Sequence, residues 1–190
     1  MSIGLRTLVL NANYMPVSLF PLQTIAAEEG ICRIITGSCR SVFDYDRPIL
    51  TQREGMNWPS VIARLDKKQV GERVKLTDDG IYYRDHGVCQ YCERPLQIHE
   101  MTCDHVIPKS HGGRFVWDNI VSACSKCNLM KADSRPVGKW APKRMPIKPT
   151  YYQLLSIRKN FPIVIDDENW MQFLGNWNAD VIIRGAPARV

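Results

Sequence analysis

The chain has 190 residues, 45% of them hydrophobic and 23% charged, which suits one large globular domain or two small ones. No run of apolar residues approaches the eighteen or so that a membrane helix takes, so no membrane partner is expected. A net charge of +6 points to an anionic partner, and seven cysteines, an odd number, argue for metal-bound and free thiols over a disulfide framework.

The opening "MSIGLRTLVLNANYMP" lacks a signal-peptide apolar core and cleavage site, so a cytoplasmic location is expected. "RTLVLN" reads as a strand, "ANYMP" as a turn and "VSLF" as a second short strand. "LQTIAAEEGICRII" reads as a helix running toward a strand, with Gly30 a candidate stop. "DYDRP" and "NWPS" read as turns or loops, because the residue before a proline disfavours helix. Cys32 and Cys39 have no partner at metal-ligand spacing and are expected as small buried residues. These elements form a small N-terminal α/β region, residues 1–76, a candidate for DNA binding or dimerisation.

Residues 77–136 carry the chemistry. Cys89-x-x-Cys92 and Cys124-x-x-Cys127 are two knuckles whose four thiolates suffice for a closed, tetrahedral, structural zinc site. Between them, "MTCDHVIP" fits a strand ending at Pro108, "KSHGGRF" a glycine-turned loop, and "WDNIVSAC" a second strand. "NLMKADSR" then fits a helix. Strand, loop, strand and helix would gather Asp104, His105, Asn119 and Asn128 from distant points of the sequence.

The remainder, 137–190, begins with the proline-punctuated "RPVGKWAPKRMPIKP", a connector whose prolines oppose helix. Two short helices should follow. Thr150 can cap "YYQLLSIRKNF", with Tyr151, Leu154 and Leu155 on one face. Asp166 or Asp167 can cap "ENWMQFLGNW", whose Trp170, Phe173 and Leu174 read as core. The charge excess is local: Lys126, Lys131, Arg135, Lys139, Lys143, Arg144 and Lys148 face one acid, Asp133. Such a stripe suits a polyanion, with a solvated surface as the alternative.

"DHVIPKSHGG", "WDN" and "CSKCN-x-x-K" together resemble the HNH endonucleases, in the version of the ββα-metal fold that carries a four-cysteine zinc. The resemblance covers about residues 80–136; outside it, "LVLNANYMPVSLF", "WPSVIARL" and "PTYYQLL" look like the flanks of small HNH proteins of bacteria and phages. The resemblance implies an α+β chain: a ββα-metal nuclease core stabilised by zinc, flanked by the N-terminal α/β region and C-terminal helices. It also implies a metal-dependent DNA endonuclease leaving 5′-phosphate and 3′-hydroxyl ends.

On this resemblance His105 stands where the general base stands and Asp104 where a carboxylate binds the catalytic magnesium or manganese. Asn119 matches the asparagine that braces the loop carrying His105. Asn128 occupies the last position of the motif, where its carbonyl oxygen would complete the cation site; it departs from the literal histidine there. Lys131, Arg135, Lys139, Lys143 and Arg144 become the expected DNA contacts. One active unit per chain implies nicking, or a double-strand cut by a homodimer or by two successive nicks. From another class, a non-catalytic zinc-stabilised nucleic-acid-binding regulator needs the cysteines and basic residues but not Asp104, His105, Asn119 and Asn128 together.

Overall fold

The computed structural model describes residues 4–19, 21–49, 55–66 and 74–184. In chain order these form β1 (Arg6–Leu10), β2 (Thr24–Ala26), α1 (Ala27–Ile35), β3 (Cys39–Pro48), β4 (Asn57–Arg64) and α2 (Asp78–Arg84). Then come β5 (Met101–His105), β6 (Ile120–Cys124), α3 (Ser125–Lys131), α4 (Tyr151–Arg158), β7 (Ile163–Ile165), α5 (Met171–Leu174) and β8 (Val181–Ile183). None of these helices is long and apolar enough to cross a membrane. The chain divides into two units, Met1–Gly71 with Lys159–Val190, and Glu72–Arg158.

In the first unit the sheet order is β2-β1-β4-β3, with β1 and β4 parallel and the other neighbours antiparallel. Leu8, Val9 and Leu10 pair with Val61, Ile62 and Ala63, and all six are buried. The continuous apolar run of a strand covered on both faces is what β1 displays. Val17 and Leu19 are buried but make only local pairings, Val17 N–H to Val9 O at 3.0 Å and an isolated bridge from Leu19 to Leu22, instead of a strand; Phe20 lies outside the described residues.

"DYDRP" and "NWPS", expected as turns, lie inside β3 and β4. Pro59 is tolerated because it pairs with Asp44 where the register shifts, so little laddering is lost. Its carbonyl accepts from Thr7 Oγ1 at 2.6 Å. Gly30 does not stop α1 but lies within it, buried: a Cβ there would stand 3.1 Å from the Pro59 ring and 3.2 Å from Thr7 Oγ1. Cys39 is buried as expected, whereas Cys32 is exposed on α1.

Residues 159–184 belong to this unit too. Trp170 is buried and donates its indole N–H to Ser60 Oγ (2.9 Å) and Ser60 O (3.1 Å), fastening the 3₁₀ turn Glu168–Trp170 to β4. Asp167 caps that turn through Asn169 N–H (2.9 Å), and Leu174 is buried beyond it. The parallel pair of β7 and β8 has no counterpart in the sequence reading.

The second unit is a ββα motif with additions. β5 and β6 pair antiparallel, from Met101 opposite Cys124 to His105 opposite Ile120, and α3 follows directly. Thr77 caps α2 by accepting from Gly80 N–H at 3.1 Å, and Ile81 joins Trp117 and Ile120 in an apolar cluster. A buried ion pair locks this helix to the hairpin. Arg84 binds Asp85 at 2.8 and 3.0 Å and donates to the carbonyls of Trp117 (2.8 Å) and Ile120 (2.6 Å). Asp85 in turn accepts from Ser122 N–H at 2.7 Å.

The sequence groups residues 137–190 as one region, but 137–158 fall in this second unit. The reason is anchoring. Lys143 N–H bonds Gln90 O (2.8 Å), Lys148 N–H bonds Asp118 Oδ1 (2.8 Å), and Arg158 lies 4.6 Å over the Tyr83 ring. The connector holds only a 3₁₀ turn, Gly138–Trp140, and Thr150 caps α4 through Gln153 N–H at 3.2 Å.

Candidate active site and metal centre

The ligand atoms of Cys89, Cys92, Cys124 and Cys127 all lie within 4.8 Å of one another, and the Cys92 and Cys124 sulfurs are 4.0 Å apart. Four sulfurs around zinc at tetrahedral angles stand about 3.8 Å apart, so the donor set fits the ion. The first knuckle turns on Glu93, whose φ is +60° and whose N–H bonds Cys89 O at 2.8 Å. Gln90 N–H bonds Ser122 O at 2.9 Å and ties that knuckle to β6. The second opens α3, where the Cys124 sulfur caps the helix by accepting from Cys127 N–H at 3.4 Å. Burial raises the Cys89 and Cys127 thiols. Cys124 is also raised by burial, yet the Cys127 N–H and the neighbouring thiols draw it down to about 7.

Successive residues of β5 point to opposite faces. Thr102 and Asp104 face α3: Asn128 Nδ2 donates to Thr102 Oγ1 at 3.0 Å, and Lys131 Nζ lies 3.0 Å from Asp104 Oδ2. Cys103 points the other way, donating to Asp78 Oδ1 at 3.2 Å, and burial together with Asp78 pushes its thiol up to about 12. Asp104 is 6% exposed, and its Oδ2 also accepts the Tyr91 hydroxyl at 2.5 Å. Among the described residues, no hydrogen bond engages Asp104 Oδ1 or Asn128 Oδ1. Asp104 on β5 and Asn128 on α3 thus each keep one side-chain oxygen outside these bonds, and carboxylate and amide oxygens are the donor types a hard divalent cation takes.

His105 ends β5 beside Phe115, with ring centroids 5.8 Å apart. Its Nε2 is buried and, among the described residues, has no hydrogen-bond partner. Burial and the Lys109 charge hold the imidazole below its ordinary pKa, Asp104 opposes them, and Lys131 adds to the depression. The depression favours the neutral form of the ring.

Asn119 is buried and closes the loop after His105. Its Oδ1 accepts from Ile107 N–H (2.8 Å), while its Nδ2 donates to Ile107 O (3.1 Å) and Arg114 O (3.0 Å). The turn needs a glycine at 113, since a Cβ there would stand 1.7 Å from Ile107 O. His111 is exposed on this loop, its Nδ1 3.2 Å from Ser110 Oγ.

Lys131 is not a surface contact for phosphate. It is 0% exposed, and its Nζ donates to His105 O at 2.6 Å besides pairing with Asp104. Arg135 does not lie on a helix: Ala132, at φ +46°, ends α3 after Lys131, and Arg135 follows exposed. Lys139, Lys143 and Arg144 are exposed as expected. The Lys139 ammonium lies 4.8 Å over the Trp140 ring, and Lys143 pairs loosely with Glu93 at 3.6 Å.

Sequence reasoning misses Tyr91 and the inward turn of Lys131. The available signal is position: Tyr91 sits between two zinc-ligand candidates, and Lys131 seven residues after Cys124, on the helix that the second knuckle opens.

Residues 89–134, about a quarter of the chain, match a family model described as HNH endonuclease. This segment, with its ββα motif and four-cysteine cluster, is similar to the HNH endonucleases. A comparison with curated proteins found no match.

Proposed function

We propose that the Glu72–Arg158 unit hydrolyses phosphodiester bonds of DNA, with His105 as the general base and a divalent cation held by Asp104 and Asn128. The observation that carries this reading is His105 Nε2, a buried ring nitrogen without a partner among the described residues. A buried polar atom without a hydrogen bond costs roughly 1–3 kcal/mol, and such a cost persists where a substrate group completes the bonding.

With its pKa lowered by burial, His105 can accept the proton of an attacking water. Asn119 keeps the loop after His105 in one conformation through both polar groups of Ile107. Asp104 supplies an anionic oxygen and Asn128 a neutral one. A magnesium or manganese ion bound there would stabilise negative charge developing on the phosphate and on the leaving oxygen. Arg135, Lys139, Lys143 and Arg144 attract the phosphate backbone without reading sequence. The four cysteines hold zinc for structure and leave it no open position for chemistry.

The test is cleavage of a defined DNA duplex by the zinc-loaded chain. Brief EDTA treatment should stop it, magnesium or manganese should restore it without added zinc, and Asp104→Ala should remove that rescue. Binding without cleavage under every metal condition would instead make the protein a zinc-stabilised regulator.

A further inference from the structure

Among the described residues, the Asp104 carboxylate is engaged on one oxygen only. Tyr91 donates to Oδ2 at 2.5 Å, and the Lys131 ammonium lies 3.0 Å from the same atom. The same ammonium holds His105 O at 2.6 Å and lies 5.9 Å from the centre of the Tyr91 ring. Both residues come from the cysteine segments: Tyr91 lies inside the first knuckle, and Lys131 ends the helix that the second knuckle opens.

We infer that Tyr91 and Lys131 are positioning residues that reserve Oδ2 and neutralise Asp104, so that it meets a divalent cation through Oδ1 alone and binds it weakly. This rests on the cation site proposed above. A free carboxylate can grip an ion with both oxygens, but Oδ2 with two donors cannot turn to do so. Charge acts in the same direction. Carboxylate and ammonium sum to zero, and Asn128 adds a neutral oxygen, so these three side chains bring no net negative charge to the ion. An ion held this loosely keeps coordination positions for water and for a phosphate oxygen. Lys131 also reconciles two neighbours that point to opposite faces of β5, gripping one by its carboxylate and the other by its backbone carbonyl. The four-cysteine cluster thereby sets the aim of Asp104 as well as the fold.

The experiment titrates Mn2+ into the zinc-loaded full chain and reads free Mn2+ by electron paramagnetic resonance, beside single-turnover cleavage at saturating Mn2+. Lys131→Met keeps length and apolar stem but removes the ammonium. It should bind Mn2+ about tenfold more tightly than the unaltered chain, the scale on which outer partners tune a metal, and yet cleave more slowly. Tyr91→Phe should move both readings in the same directions by a smaller factor. A merely structural role would weaken binding and cleavage together. Unchanged or weaker Mn2+ binding in the two variants overturns the inference, and if Lys131→Met fails to retain zinc, Tyr91→Phe decides alone. Asp104→Ala separates the two readings. If it leaves Mn2+ binding unaltered, the cation site itself is wrong; if it abolishes binding that the other variants do not shift, only this inference fails.

Discussion

The two units bury different things. Met1–Gly71 with Lys159–Val190 is filled by Leu8, Val9, Leu10, Val61, Ile62, Ile163, Ile165 and Trp170. Among the described residues, eight of the eleven buried polar or charged side chains belong instead to Glu72–Arg158, including Arg84, Asp85, Asp104, Asn119 and Lys131. Burying a charge is strongly unfavourable unless it is paired and hydrogen-bonded, and an apolar core of equal volume stabilises at least as well. The interior of the first unit therefore serves stability. That of the second adds to its apolar core a set of charged and polar groups held in particular places.

The sharpest way to break that contrast is through the cysteines. Cys89→Ser or Cys127→Ser should drop the zinc content below one per chain and unfold the second unit, because structural zinc binding and folding are one equilibrium. Amide exchange should lose protection in β5 and β6 while β1 and β4 keep theirs. Retained zinc with unchanged melting would mean the four-cysteine site is misread. Next in size is Arg84→Met, which leaves Asp85 buried and unpaired at a cost of about 3–5 kcal/mol. Its loss should appear as a lowered denaturation midpoint for the second unit.

Ile62→Ala is the apolar counterpart in the first unit. It should cost about 2–5 kcal/mol, leaving zinc content and Mn2+ binding unaltered. The smallest effect on stability belongs to joint replacement of Lys139, Lys143 and Arg144, all exposed. There the response should be in duplex binding: weaker across all sequences, with the log–log salt slope reduced by roughly 0.9 for each phosphate no longer neutralised. An unchanged slope would make the stripe a solvated surface and move the DNA grip elsewhere.

Legibility in the sequence follows the same division. The knuckle spacings lead directly to the cysteine cluster, and the order strand, loop, strand, helix is the observed ββα motif. The helix α2 escapes a sequence reading because Gly80 to Arg84 are all buried, so it shows no alternation between an apolar and a polar face. β3 and β4 read as loops because Pro48 and Pro59 are local signals, whereas the bulged register that accommodates them is a tertiary fact. Lys131 reads as outward-facing by residue type. Only the packed structure reveals that a carboxylate, a carbonyl and a tyrosine ring enclose it. Charged residues bound for the interior carry no mark of it in sequence.

The central claim is that the second unit cuts DNA and that His105 supplies the base. The most direct measurement is single-turnover cleavage of a labelled duplex by the zinc-loaded chain and by His105→Ala, at saturating magnesium, with duplex affinity and melting recorded on both. The account predicts a rate lower by about two to four orders of magnitude, the usual loss with a general base, and binding and melting nearly unchanged. Near-normal cleavage by His105→Ala would contradict it.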